Sequence, residues 1–187
     1  NKRGITLDLK SGAGRKIALQ LVEQSDVVFE SFSPLTMPTL GLSYDEMAAV
    51  NPKIILVSIS NFGQSGPYRD YKATEVVLHG MGGNLRTLGA PDRAPTRYGT
   101  DLALRQAGLV STTAAMVALF ARETRGEGEH VDVSIFETQA GSQDRRAPQI
   151  FASQFVNTVF PRRTPGANMA TGIFPCKDGY INITAGG

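Results

Sequence analysis

This sequence predicts an α/β fold, a parallel sheet with flanking helices, on three observations. Apolar residues alternate with polar ones at a period of two in short runs, and longer stretches between those runs carry apolar residues at helical spacing. A third run, residues 54–59, is nearly continuous in apolar residues, as a strand covered on both faces would be. Strands that alternate in this way with helices of about ten to fifteen residues build βαβ units, whose strands run parallel.

Each element follows in order. Ile5, Leu7 and Leu9 alternate with polar neighbours and predict a first strand, and Ser11-Gly12 then opens a helix carrying Ile17, Ala18, Leu21 and Val22. Residues 27–30 are β-branched and aromatic, a second strand, broken by the loop Ser31-Phe32-Ser33-Pro34. Ser43 with Glu46 three residues on is a capping-box signature for a helix that stops at Asn51-Pro52. The apolar run 54–59 is the next strand. A loop rich in Gly, Ser and Pro covers 61–67, a short apolar segment runs from Glu75 to Met81, and a second loop with Pro91 and Pro95 covers 88–99.

Leu102, Leu104, Gly108, Ala114, Ala115, Ala118 and Leu119 predict one long, mostly buried helix over 100–122, ended by Arg125-Gly126-Glu127-Gly128. Val131, Val133 and Ile135 then alternate as a strand. Thr164-Pro165-Gly166 reads as a linker, and Lys177-Asp178-Gly179 as a turn into a strand over 180–184. Residues 1–163 are therefore expected to form part of a large domain, and residues 164–187 the linker and the start of a small one.

Composition bounds the function. The 187 residues suffice for a hydrophobic core without staples. The chain opens on Asn1-Lys2-Arg3 and closes on Gly186-Gly187 directly after a predicted strand, so it is expected to be an internal piece of a longer protein. Its one cysteine, Cys176, has no partner, which excludes a secreted disulfide framework and argues against a Cys-built metal site. With that single unpaired cysteine, a reducing, cytoplasmic location is the expectation. The charges, 19 Lys+Arg against 17 Asp+Glu, are mixed in sign along the chain, so no nucleic-acid partner is expected. The longest mostly apolar stretch, 112–121, is about half of the ~20 residues a bilayer span needs, and no membrane partner is expected either.

Several common ligand motifs are missing. Gly80-Met81-Gly82-Gly83 is not a G-x-G-x-x-G fingerprint, and no P-loop occurs, which disfavours nicotinamide and nucleoside-triphosphate sites. The two histidines, His79 and His130, lack a partner at i+3 or i+4, so no metal site is expected. Both are read as histidines without a catalytic task.

Four phrases occur in one order: Asn1-Lys2-Arg3-Gly4-Ile5-Thr6-Leu7-Asp8-Leu9-Lys10, Val27-Val28-Phe29-Glu30-Ser31-Phe32-Ser33-Pro34, Ile59-Ser60-Asn61-Phe62-Gly63-Gln64-Ser65-Gly66-Pro67-Tyr68 and Gly126-Glu127-Gly128-Glu129-His130-Val131-Asp132-Val133-Ser134. Together they resemble the class III coenzyme A transferases, the family of formyl-CoA transferase and carnitine CoA-transferase. The resemblance implies a Rossmann-like parallel sheet, a small domain starting near Lys177 and an intertwined dimer, either a homodimer or a heterodimer with a related subunit. It also implies acyl-CoA and a small carboxylic acid as substrates, with no tightly bound cofactor.

The resemblance places Leu7, Asp8, Leu9 and Lys10, and the loop Ser31, Phe32 and Ser33, beside the adenosine and pantetheine of CoA, with Lys72 and Glu75 at the same site. Ligands of open α/β sheets collect at the carboxyl ends of strands, an exposed Phe can cover a thiol-bearing tail, and a lysine can face a phosphate. Each residue also has a plainer reading: Phe32 as a core aromatic, Lys72 as a solvated lysine, and Glu75 as a carboxylate favoured by a helix start. Two departures point to weaker phosphate binding: Ser33-Pro34-Leu35 replaces the family's usual continuation by Arg or Gly, and Thr39 stands where some members carry an arginine.

The family reaction runs through an aspartate that takes the acyl group as an anhydride and then CoA as a thioester, which is covalent catalysis driven by remote binding energy. That aspartate usually stands in a pattern like G-x4-D-x3-G. Gly99 and Gly108 fit the frame without a gap, and the slot holds Leu104. Asp101, three residues earlier, is the candidate nucleophile, and its plainer reading is the N-cap of the long helix. Three functions follow from the resemblance: a CoA transferase; a catalytically silent CoA-binding subunit of a heteromeric one; and an α-methylacyl-CoA racemase. The last is disfavoured because Thr74 stands where its histidine would.

Overall fold

The computed structural model describes residues 2–141, 146–158, 162 and 171–184. The first helix, α1 (Gly12–Glu23), starts where Ser11 accepts a hydrogen bond from the Gly14 amide at 3.0 Å, an N-cap. It is followed by β1 (Val27–Glu30), the single turn α2 (Thr36–Thr39), α3 (Tyr44–Val50) and β2 (Ile55–Ser60). The capping box read from Ser43 and Glu46 is formed at the start of α3. Then come α4 (Glu75–Met81), a 3-10 turn (Asn84–Thr87), α5 (Leu102–Arg125), β3 (His130–Ser134), α6 (Ile135–Gly141) and α7 (Arg146–Phe155). A hairpin of β4 (Thr171–Cys176) and β5 (Gly179–Thr184) completes the described elements.

Strands β1, β2 and β3 pair in that order, parallel throughout, with Val27 opposite Ile55 and Leu56 opposite His130. The central strand explains its continuous apolar run. Ile54 and Leu56 point to one face, against Val22, Met37, Leu42 and Met47 of the α1–α3 layer. Ile55 and Val57 point to the other, against Ala115 and Ala118 of α5 and Val133 of β3. Helices on both faces of a parallel sheet are what the alternation predicts.

Helix α5 carries the crossover from β2 to β3 and is pinned at both ends. Its inward stripe is small, Ala103, Ala107, Ser111, Ala115 and Ala118, which brings its backbone close to the sheet. At its C-terminal end Arg122 donates to the Lys53 carbonyl at 3.0 Å and to Asp26 at 2.8 Å, clamping the helix to the amino ends of β1 and β2. Gly126 closes the helix at φ 79°, and Gly128 runs so near β2 that a Cβ there would lie 1.8 Å from the Ile54 carbonyl oxygen.

Five expectations need correction. Residues 5–9 form no strand: a strand needs a partner's ladder, no described residue pairs with them, and the Asp8 carbonyl instead accepts from the Ser11 amide and hydroxyl to turn the chain into α1. Helix α5 is not mostly buried, because only its small-residue stripe faces the sheet, and Leu109, Met116, Val117 and Phe120 are exposed. That helix is also long and apolar enough to cross a membrane by length and composition, since its apolar character extends past 112–121 at both ends. Ile135 begins α6 rather than ending β3, because Ser134 Oγ accepts from the Glu137 amide and the Phe136 amide donates to Asn61. The hairpin opens at Thr171, ahead of the turn at Lys177; the linker at Thr164-Pro165-Gly166 lies outside the described residues.

Candidate functional site

Three parallel strands end at one edge of the sheet, and their ends build a cleft of about 600 Å³. The loop after β1 contributes Ser31, Phe32, Ser33 and Pro34, the end of β2 contributes Ile59, Ser60 and Asn61, and Ile135 follows β3. Because α5 crosses back toward the amino ends of the strands, its own N-terminal end faces the same edge and adds Leu104, Ala107 and Gly108. Ligands of open parallel sheets gather at this edge.

Phe32 is 46% exposed, so its reading as a core aromatic falls and its ring remains available to a ligand. The backbone that presents it is fixed from beneath: the buried carboxylate of Glu30 accepts from the Phe32 amide at 2.7 Å. The opposite wall comes from the segment 69–72. Arg69 grips Asp70 through two bonds of 3.0 and 2.9 Å, and those bonds hold the Asp70 carboxyl below its ordinary value. Tyr71 and Tyr68 lie 5.4 Å apart and both meet Phe62, an aromatic cluster that orders this wall; Lys72 sits beside it.

Arg69, Asp70 and Tyr71 were missed in the sequence, where the only signal was the run of aromatic and charged side chains from Tyr68 to Lys72 in an otherwise Gly- and Pro-rich loop.

The predicted residues divide into groups. Ser31, Phe32, Ser33, Lys72 and Leu104 line the cleft. Leu9 and Lys10 line a separate depression at the N-terminus of α1, with Ser11, Arg15 and Thr39, while Leu7 is half-buried and Asp8 spends Oδ1 on the Lys10 amide at 3.0 Å. The Thr39 hydroxyl is committed to the Leu35 carbonyl at 2.8 Å. Asp101 occupies the N-cap position of α5 without making a side-chain cap bond, and neither it nor Glu75 is part of the cleft wall.

Glu75 does the capping from a different helix. Its Oε1 accepts from the Ala103 amide at 2.7 Å and lies 3.4 Å from His79 Nε2. The open amides and positive end of α5 stabilise that carboxylate. The other histidine lies outside the cleft wall: His130 Nε2 is 2.8 Å from Ser58 Oγ, and its ring stacks on Tyr44, whose phenol is pushed up by burial and by the nearby Glu127, Glu129 and Asp45. Among the described residues no three His, Cys, Asp or Glu side chains group to hold a metal ion.

Known proteins share this fold. The sequence profile of CoA-transferase family III matches residues 1–187. The chain belongs to this family.

Among its CoA-transferase relatives is the succinyl-CoA–D-citramalate CoA-transferase of Chloroflexus aurantiacus, 33% identical over 183 residues, which span 96% of this chain and 44% of the relative. Another is the succinyl-CoA:(R)-benzylsuccinate CoA-transferase subunit BbsE of Thauera aromatica, 32% identical over 98% of this chain and 44% of the relative. The crystal structure of a CAIB/BAIF family protein from Brucella suis superposes with a TM-score of 0.87 at 32% identity, covering 98% of this chain and 48% of that one. The chain thus spans less than half the length of these family III relatives.

Proposed function

We propose that the full-length protein transfers coenzyme A between carboxylic acids and that this chain supplies the cleft for the acyl-CoA tail. One observation carries the reading: the cleft at the carboxyl edge of the sheet has apolar walls, Phe32, Pro34, Tyr71 and Leu104, with the cationic Lys72 at its side. Such a surface suits an amide-linked, thiol-ended arm that carries phosphates at its far end. The α1 depression, with Lys10 and Arg15 at the open amides of a helix N-terminus, suits those phosphates.

On this reading an enzyme carboxylate attacks the thioester carbonyl, the C–S bond breaks and CoA thiolate leaves an acyl-enzyme anhydride. The thiolate then attacks the enzyme carbonyl of that anhydride, releasing the donor acid and forming an enzyme–CoA thioester. The acceptor acid reverses both steps and leaves as its own CoA ester. Asp101 is the carboxylate within this chain proposed for the attack, and a side chain not spent on capping α5 suits that role. Incubating full-length protein with acyl-CoA and hydroxylamine tests it: a hydroxamate on Asp101 is expected, and complete absence of modified Asp or Glu ends the covalent reading.

A second reading rests on a different observation. Leu104, 51% exposed, is the α5 side chain that lines the cleft in the ungapped frame, and a leucine forms no anhydride. The chain would then belong to a silent, CoA-binding subunit whose partner brings the aspartate, as the subunit naming of the Thauera relative suggests. Robust turnover by the purified lone protein would rule this out. We propose a cytoplasmic location for either form.

A further inference from the structure

Helix α4 buries a histidine where a leucine would pack. His79 is 1% exposed, and among the described residues neither of its ring nitrogens has an ordinary hydrogen-bond partner. Its ring meets Tyr98 at 5.3 Å, and its Nε2 faces Glu75 Oε1 at 3.4 Å, one turn back along the same helix. An imidazole taken out of water without good bonds is a cost that an apolar side chain of similar size would avoid, so a site that keeps one calls for a reason.

The contacts around Glu75 supply that reason. The same oxygen, Oε1, accepts the Ala103 amide at 2.7 Å. Ala103 is buried against Phe62, Leu78 and Ile135, and the next residue, Leu104, is on the cleft wall, with Ala107 and Gly108 a turn further on. A carboxylate 3.4 Å from one ring nitrogen favours the tautomer that carries its proton there, so the ring holds the carboxylate by a charge–dipole contact rather than a well-formed hydrogen bond. Glu75 keeps 16% of its side chain exposed, and without the imidazole its carboxylate is free to swing toward water and release the amide.

We propose that His79 is a positioning residue for the acyl-CoA cleft: it holds Glu75 on the Ala103 amide and thereby fixes the first turn of α5, which sets the wall against which the thioester lies. This deepens, and rests on, the CoA-transfer reading. The imidazole itself touches no substrate.

The test compares two full-length variants of similar side-chain size, His79→Met without an N–H donor and His79→Gln with one. The first readout needs no activity: amide hydrogen exchange at Ala103 relative to Ala115 and Ala118. In His79→Met, exchange at Ala103 should rise at least about tenfold while the two mid-helix amides stay unchanged, and His79→Gln should stay within about threefold of the parent. The second is kinetic: kcat should fall about tenfold or more in His79→Met with KM for acyl-CoA moving less than threefold, because a misplaced wall harms orientation more than binding. Unchanged Ala103 exchange in His79→Met, or equal damage in both variants, overturns the proposal. Should His79→Met not fold, His79→Ala takes its place; if neither folds while His79→Gln does, His79 is structural and the proposal fails. A parent protein that transfers no CoA refutes the functional reading alone, and the exchange data still judge the positioning.

Discussion

Replacing Phe32 with alanine isolates what the cleft does for the carrier's thiol-ended arm. Burying a whole Phe side chain is worth about 1.5–3 kcal/mol, and 46% of Phe32 is still in solvent. Covering that remainder therefore yields about 0.7–1.4 kcal/mol, so Phe32→Ala should weaken CoA binding about three- to tenfold. Calorimetric titration of full-length protein with CoA, pantetheine and 3′,5′-ADP separates the parts of the carrier. Affinity for CoA and pantetheine should fall together, while that for 3′,5′-ADP should hold, because the depression holding Lys10 and Arg15 is lined by other residues. A loss below twofold for CoA, or an equal loss for 3′,5′-ADP, would refute the placement of the arm against Phe32.

Three further outcomes are expected. Leu104→Asp puts a carboxylate on the exposed cleft side of the first helical turn, where the helix dipole favours it, so stability should change by less than about 1 kcal/mol. The variant should gain a hydroxylamine-trappable modification at residue 104, and a variant that binds CoA without any such label would show that the ungapped slot is not the covalent position. Gly128→Ala drives a methyl group into the Ile54 carbonyl and should cost about 3 kcal/mol in denaturant titration, with an unchanged midpoint speaking against the close approach of the β3 entry to β2. Ser43→Ala should cost about 1 kcal/mol at neutral pH through loss of the α3 cap. The Ser43 amide and hydroxyl hold the Glu46 carboxyl below its ordinary 4.5, so their contribution is complete above that pH and lost as pH falls through the lowered folded value. Ser43→Ala keeps the amide and removes only the hydroxyl, so the gap between parent and variant should narrow in acid by the hydroxyl's share, and a gap that stays constant down to pH ~3 would contradict that bond.

The elements most legible in the sequence were those whose burial follows one simple period. β2 announces itself because both its faces are covered, and α3 because Ser43 and Glu46 cap it locally. α6 stayed hidden because it buries Thr138 and Gln139, polar residues that leave no apolar stripe to count. The alternation over 5–9 misled for the opposite reason: a period of two says which residues suit a strand and nothing about whether a neighbour offers a ladder.

At the site, Phe32, Lys72 and Leu104 were legible through the resemblance, while the wall at Arg69, Asp70 and Tyr71 depends on how an irregular loop folds back over the sheet edge. The task of His79 was invisible because it arises from Glu75 meeting the Ala103 amide, 28 residues away in the chain.

The two functional readings differ by three residues on one helix, and the geometry states how far apart that is. In a regular helix, three positions are about 4.5 Å along the axis and about 60° short of a full turn. For Asp101 to take the place of Leu104 in the cleft, α5 would have to slide and rotate by about those amounts, or gain a turn at the expense of the preceding loop. Such a shift would take the Ala103 amide away from Glu75 and move the stripe Ala103, Ala107, Ser111 and Ala115 off the surface it packs against. It would also have to be absorbed before Arg122, whose bonds to Lys53 and Asp26 fix the far end. An attack by Asp101 is therefore easier to build by carrying the acyl group past Leu104 to the mouth of the helix than by re-registering α5. A substrate bound that way would place its thioester carbon near the N-cap of α5, where the positive end of the helix dipole favours the developing oxyanion as well as the attacking carboxylate.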